Sequence, residues 1–93
     1  MTASLTIRPD SAYTYNRRGN VHYIMRNYQP AVDDYTKAIQ YNANDAQFYL
    51  NRGSAFENLK RVNEARADYE KARSIAPTQQ LRQDAQNALN ALR

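Results

Sequence analysis

Residues 15–22 read YNRRGNVH and residues 49–56 read YLNRGSAF, so Tyr, Arg and Gly recur at the same spacing 34 positions apart. No other feature restricts the fold as much. Displacing the chain by 34 brings Ala12, Tyr15, Arg18, Gly19, Ala31, Asp34, Tyr35, Lys37 and Ala38 onto Ala46, Tyr49, Arg52, Gly53, Ala65, Asp68, Tyr69, Lys71 and Ala72 without a gap. A unit repeated at this length is one supersecondary element that buries its apolar side by stacking on its copy. Each unit holds two helical patterns, 12–25 and 29–42, then 46–59 and 63–76, interrupted at Arg26-Asn27 and Lys60-Arg61. Interruptions this short make neighbouring helices antiparallel. Two glycines and three prolines in 93 residues, with abundant Ala, Leu, Arg, Lys, Gln and Glu, agree with an all-α chain.

The shared residues have steric work to do. Gly19 and Gly53 lie inside helices, where glycine costs about 1 kcal/mol against alanine, so their recurrence implies a close helix crossing with no room for a Cβ. Ala31, Ala38, Ala65 and Ala72 fit the same crossing from the partner helix, the two alanines of each pair lying two turns apart on one face. Tyr15, Tyr35, Tyr49 and Tyr69 then fill the space around the small residues, each hydroxyl reaching water or a polar neighbour. Pro30 falls in the first turn of its helix and Pro77, counted with the structural repeat core, lies beyond the end of the fourth, where a missing N–H does no harm.

On these residues the chain resembles the tetratricopeptide repeat family, whose unit is a helix-turn-helix with an aromatic, Gly, Ala, aromatic, Ala and Pro at set spacings. Tyr15, Gly19, Tyr28, Ala31, Tyr35 and Ala38 fit the first unit, and Tyr49, Gly53, Phe56, Ala65, Tyr69, Ala72 and Pro77 fit the second. The resemblance covers residues 12–79 and implies an α-solenoid of two antiparallel hairpins, 12–45 and 46–79. It departs from the family at Arg18 and Arg52, where leucine is frequent, at His22, where an aromatic is usual, and at Ala43, where the family has proline. The Arg-Gly variant with its later Asp-Tyr implies that Arg52 faces Asp34 or Asp68 from a neighbouring helix in a partly buried bidentate pair. A structural role is expected for both arginines.

A stack of repeats needs three or more units, or a cap. Within residues 79–93, QQLRQDAQNALNALR, an apolar stripe of Leu81, Ala85, Ala88, Leu89 and Leu92 lies on an otherwise polar helix. Residues 80–93 are therefore expected as a capping helix, the fifth in the chain. Residues 1–11 show no period and are expected as a flexible tail, whose Leu5 and Ile7 could dock on the open edge of the first helix. Weak homodimerisation through exposed repeat edges, and excision from a longer array, both fit so short a stack.

Catalytic chemistry is poorly supplied. Cysteine is absent, so neither a disulfide framework nor a thiolate metal site can form, and His22 is the only histidine. It is expected to be a satisfied structural residue in an aromatic slot. Asp33 and Asp34 are adjacent on a helix and point about 100° apart, poor geometry for a shared substrate and better suited to a solvated face plus a salt bridge. No phosphate-cradling glycine loop or nucleophile elbow occurs. An enzyme is not expected, nor a cofactor or metal. No apolar run is long enough for a signal peptide or a membrane span, so a soluble chain is expected, with a cytoplasmic setting as the default.

The resemblance places the functional surface on the concave side, lined by the first helix of each unit, where extended peptides or partner helices bind. Carried onto this chain, that lining is Tyr13, Asn16, Asn20, Tyr23 and Ile24 from the first helix, and Gln47, Leu50, Asn51, Ser54, Glu57 and Asn58 from the third. The cap would add Leu81, Asp84 and Ala88. Tyr13 and Tyr23 stand out because the second unit has Gln47 and Glu57 in the same slots, so the core does not demand aromatics there. Tyrosine is a frequent anchor at interfaces. Some family members clamp a partner's terminal carboxylate with two asparagines and three basic residues; Asn20 and Asn51 match the asparagines, but the basic slots hold Asn16, Leu81 and Ala85. A protein-binding module that takes an internal peptide segment or helix is therefore expected. Two alternatives remain open. One is single-stranded RNA binding, from the net charge of +4 and from Tyr13, Tyr15, Tyr23, Arg17, Arg18 and Arg26 on or near one helix, although interspersed acids count against nucleic acid. The other is an engineered or excised scaffold without a ligand of its own.

Overall fold

A computed structural model describes residues 11–92. Five helices follow one another: α1 (Ala12–Ile24), α2 (Tyr28–Tyr41), α3 (Ala46–Asn58), α4 (Val62–Ile75) and α5 (Gln79–Ala91). Among the described residues there is no strand. The expected tail falls on residues that lie outside this description, except Ser11, which belongs to the fold as the cap of α1.

Local chemistry explains each boundary. Ser11 Oγ accepts from the Thr14 amide, Asp45 Oδ1 from the Gln47 amide and Thr78 Oγ1 from the Leu81 amide, so α1, α3 and α5 each begin on a side chain that satisfies a free N–H. Helices α2 and α4 have no such cap, because each starts directly out of the preceding turn. In those turns Arg26 and Lys60 adopt φ of 64° and 67°. The amides of Asn27 and Arg61 then reach back to the carbonyls of His22 and Phe56 at 2.8 and 2.9 Å. This paired arrangement satisfies the last carbonyls of the helix and reverses the chain within three residues.

Each tight turn closes a hairpin, α1 on α2 and α3 on α4, and the hairpins stack through α2 on α3, with α5 laid on α4. The core runs through that stack from Ala31, Val32 and Tyr35 to Tyr49, Leu50, Ala55 and Phe56, then to Ala65, Tyr69 and Ala72, and ends at Ala85 of α5. Leu81, Ala88, Leu89 and Leu92 pack on it partly buried, so the apolar stripe of α5 closes the stack as expected.

Three expectations need correcting. The neighbours that exclude a Cβ at Gly19 and Gly53 are tyrosine rings rather than the partner alanines: a Cβ would stand 2.7 Å from Tyr35 Cε1 and 2.6 Å from Tyr69 Cε1. Tyr15 is only half-buried, since no described helix covers it from the far side of α1, and it stacks at 5.6 Å on the exposed Tyr41. Pro77 is exposed, and its place is outside the core, just past the end of α4.

The predicted Arg52 pair forms with Asp68. Nε and Nη2 donate to the two carboxylate oxygens at 2.8 Å each, and Nη1 donates to Thr36 Oγ1 at 3.2 Å. Arg18 holds Asp34 in the same bidentate way, at 3.0 and 2.9 Å. Both aspartates are buried. Asp33, by contrast, is exposed and accepts from Gln29.

Two substitutions test this frame. Gly53→Ala gains helix propensity but drives a methyl into an immobile buried ring, and a net loss of about 1–3 kcal/mol in urea denaturation is expected. Lys60→Gly removes the side-chain cost of a left-handed backbone, about 1–2 kcal/mol, against a smaller entropic penalty in the unfolded chain. A net gain of about 0.5–1 kcal/mol is expected, read as a rise in Tm of several degrees.

Candidate functional site

Helices α1 and α3 lie side by side and turn polar side chains toward a shared face. Their closest link is an amide chain: Gln47 Nε2 donates to Asn51 Oδ1 at 3.0 Å, and Asn51 Nδ2 donates to Asn16 Oδ1 at 2.8 Å. Asn16 is buried by this contact. A buried amide without a partner would cost stability, so the pair also fixes the register of the two helices.

The core tyrosines reach the same face from beneath. Tyr35 donates to Asn20 Oδ1 at 2.6 Å, which turns the Asn20 carbonyl inward and leaves its NH2 group toward the face. Tyr69 donates to Glu57 Oε1 at 2.7 Å and lies 3.4 Å from Ser54 Oγ. With the Tyr69 hydrogen directed to Glu57, Ser54 is left to donate. Burial pushes the Tyr35 hydroxyl up to about 12, with the nearby Tyr23 and Asp34 acting in the same direction. Tyr69 is pushed up as well, first by burial, with Ser54 opposing and Glu57 reinforcing.

Tyr23 stands at the centre of the face. Its ring meets Tyr28 edge-on at 5.4 Å, and its hydroxyl accepts from Asn58 Nδ2 at 3.0 Å. Two concavities meet at Tyr23 and Ser54. The larger, about 510 Å³, is lined by Tyr23, Ser54, Glu57, Asn58, Lys60, Val62, Ala91 and Leu92. The smaller, about 170 Å³, is lined by Asn20, Tyr23, Tyr35, Asn51 and Ser54.

The sequence-based lining is thus only partly brought together. Asn20, Tyr23, Asn51, Ser54, Glu57 and Asn58 share the paired concavities. Gln47 and Asn16 belong to the adjoining amide chain. Tyr13 stands outside both concavities, exposed near the start of α1, with the Arg17 guanidinium 5.6 Å from its ring centre. Leu50 is buried in the core, so it offers a partner little surface. From the cap, Asp84 is exposed and bonds Gln80, while Leu81 and Ala88 pack on the core. Lys60, Val62, Ala91 and Leu92 were missed. The usable signal was the cap's apolar stripe, whose last member, Leu92, extends beyond the core into the larger concavity.

His22 also departs from expectation. Its Nε2 lies 3.7 Å from Asp34 Oδ2, while its Nδ1 is buried with no hydrogen-bond partner among the described residues. The slot is shaped for an aromatic ring, as Phe56 shows in the second hairpin, and provides nothing for a second ring nitrogen. The residues of the RNA-binding alternative are likewise dispersed: Arg18 is committed to Asp34, and Tyr15 to its stack on Tyr41. No group of three or more potential metal ligands occurs among the described residues. No helix among them is long and apolar enough to cross a membrane.

Stacked antiparallel hairpins with a polar inner face and an apolar end cap define a helical-repeat protein of the solenoid class. The chain belongs to the tetratricopeptide repeat family: family models of the tetratricopeptide repeat match residues 12–45 and 46–79. It is similar to DnaJ homolog subfamily C member 7 of Mus musculus, 37% identical over 57 residues, which cover 61% of this chain and 12% of that protein. It is similar to the mitochondrial import receptor subunit TOM70 of Rattus norvegicus, 34% identical over 73 residues, 73% of this chain and 12% of that protein. A third relative is the small glutamine-rich tetratricopeptide repeat-containing protein 2 of Saccharomyces cerevisiae, 36% identical over 61 residues, 66% of this chain and 18% of that protein. The chain therefore spans less than a fifth of the length of these relatives. The repeats make it a protein–protein interaction module.

The raised tyrosines give a signed pH dependence. The fold favours their neutral form, so their contribution is complete below about pH 10, the ordinary tyrosine value, and declines above it, that of Tyr35 being lost as pH rises through about 12. Urea unfolding measured from pH 8 to 12 is expected to show stability falling above pH 10, with a flatter profile in Tyr35→Phe.

Proposed function

We propose that the protein is a non-enzymatic module that binds a peptide segment or helix of a partner across the face of α1 and α3, with Tyr23 as the anchor. The observation that carries this reading is the pair of concavities joined at Tyr23 and Ser54. Their polar walls are held in place before any ligand arrives, Asn20 by Tyr35 and Glu57 by Tyr69. Preorganised groups of this kind lower the ordering cost of binding. The ring of Tyr23 with Val62, Ala91 and Leu92 offers an apolar seat, and Asn20, Ser54 and Asn58 surround it with hydrogen-bonding groups. Such a mixture suits a side chain flanked by peptide backbone.

An internal segment fits better than a chain terminus. Asn51 spends both ends of its amide on Asn16 and Gln47, and the charged groups lining the larger concavity are one carboxylate, Glu57, and one ammonium, Lys60. Neither arrangement offers a cluster of cations to a terminal carboxylate.

Peptides selected from a random library against the wild-type chain provide the test. They are expected to lose about tenfold or more in affinity with Tyr23→Ala, and to shift the backbone NMR signals of residues 20, 23, 51, 54 and 58. Selected peptides whose shifts map elsewhere, or whose affinity survives Tyr23→Ala, would overturn the reading.

A further inference from the structure

Glu57 supplies the carboxylate of the larger concavity, and folding uses only part of it. The side chain is half-buried, and its Oε1 accepts from Tyr69 at 2.7 Å. The first hairpin shows that a core tyrosine needs an oxygen and not a charge, because Tyr35 donates to the neutral amide of Asn20 at 2.6 Å. A glutamine at position 57 would accept from Tyr69 equally well. The charge also opposes the backbone, since Glu57 lies one residue from the end of α3, where the helix dipole disfavours an acid. Among the described residues the ion pairs engage Asp34, Asp68 and Glu64, and Glu57 takes part in none of them. A negative charge that the core does not need, the helix disfavours and no described cation neutralises is surplus to the fold. Local conflicts of this kind mark functional positions.

Building on the peptide-binding groove proposed above, we infer that the larger concavity takes a lysine or arginine side chain of the partner segment, with Glu57 as its counter-charge. The walls match such a side chain from stem to tip. Val62, Ala91 and Leu92, with the ring of Tyr23, present apolar surface to an aliphatic stem. The face of a tyrosine ring attracts a cation, and Glu57 adds a full opposite charge in the same concavity. An aliphatic side chain would fit the same walls but would bury the carboxylate without a partner, which is unfavourable. An acidic one would be set against a like charge. Lys60 lines the concavity too, yet it is exposed and pairs with no described acid, and its flexible stem lets its ammonium stay in water.

The test is parallel selection of random peptides against the wild-type chain and against Glu57→Gln. Wild type is expected to enrich peptides with Lys or Arg at one fixed position, and Glu57→Gln to lose that enrichment. Exchanging that residue for norleucine is expected to weaken binding to wild type about tenfold and binding to Glu57→Gln about twofold or less. Glutamine preserves an acceptor for Tyr69, and unchanged thermal unfolding would verify that the variant folds. Wild-type peptides that depend on Tyr23 yet carry no basic residue at a fixed position would overturn the assignment and leave the groove in place. Equal enrichment by the two chains would do the same. Peptides indifferent to Tyr23→Ala would overturn the groove and the assignment together. A gain in affinity of about tenfold with Arg93→Ala would make the chain's own guanidinium the occupant, and so would also overturn the assignment to a partner.

Discussion

The contact of a tyrosine ring with a glycine backbone governs how closely the two helices of each hairpin approach. Tyr35 and Tyr69 are the largest fully buried side chains, and each lies where a Cβ of Gly19 or Gly53 would stand. Glycine inside a helix costs about 1 kcal/mol, while burying a large apolar side chain returns about 1.5–3 kcal/mol, provided its polar end is satisfied. That proviso is met on the far side of the helix, where Asn20 and Glu57 accept from the two hydroxyls. The glycine is thus the opening through which a core residue extends to the polar face shared by α1 and α3.

A second constraint acts on the other side of the same helices. Arg18 with Asp34, and Arg52 with Asp68, tie the two helices of each hairpin together by a geometry that admits one register. Around Arg52 the setting is partly apolar, with the ring centres of Phe56 and Tyr49 at 5.6 and 5.9 Å. Desolvation offsets much of the Coulombic gain of such a pair, so its worth lies in what breaking it would cost, about 3–5 kcal/mol for a buried charge left alone. An arginine where leucine would pack therefore trades net stability for a penalty on misalignment. Arg18 plays the same part with less cover among the described residues, its side chain being 62% exposed against 20% for Arg52.

The frame was legible in the sequence because its causes are local or periodic. Helix limits follow from capping side chains and from two tight turns, and each observed boundary lies within a residue of the expected one except the end of α5, which comes two residues early. The Arg52 pair was legible because the repeat places an arginine and an aspartate sixteen residues apart in both units. Groove residues were harder. Leu50 and Asn16 occupy matching slots and both are buried, one in the core and one in a hydrogen bond to Asn51, and that difference depends on which neighbour the stack supplies. His22 resisted for the same reason, since whether a ring nitrogen finds a partner is decided by tertiary packing.

The two systems also explain which features of the α1/α3 face folding itself requires. Positions 20 and 54 are equivalent, and although one is asparagine and the other serine, each interacts with the hydroxyl of a buried tyrosine. At position 20 a side chain unable to bond would strand the Tyr35 hydroxyl, at a cost of about 1–3 kcal/mol, whereas Tyr69 keeps Glu57 whatever stands at position 54. Positions 23 and 57 are equivalent too, yet one holds tyrosine and the other glutamate, and only the glutamate accepts from a buried tyrosine hydroxyl. The hydrogen-bonding groups at positions 20, 54 and 57 therefore answer to folding, while the ring at position 23 does not. In this molecule the face shared by α1 and α3 is polar because its core tyrosines must end somewhere, and Tyr23 is the side chain beside them that no core hydroxyl requires.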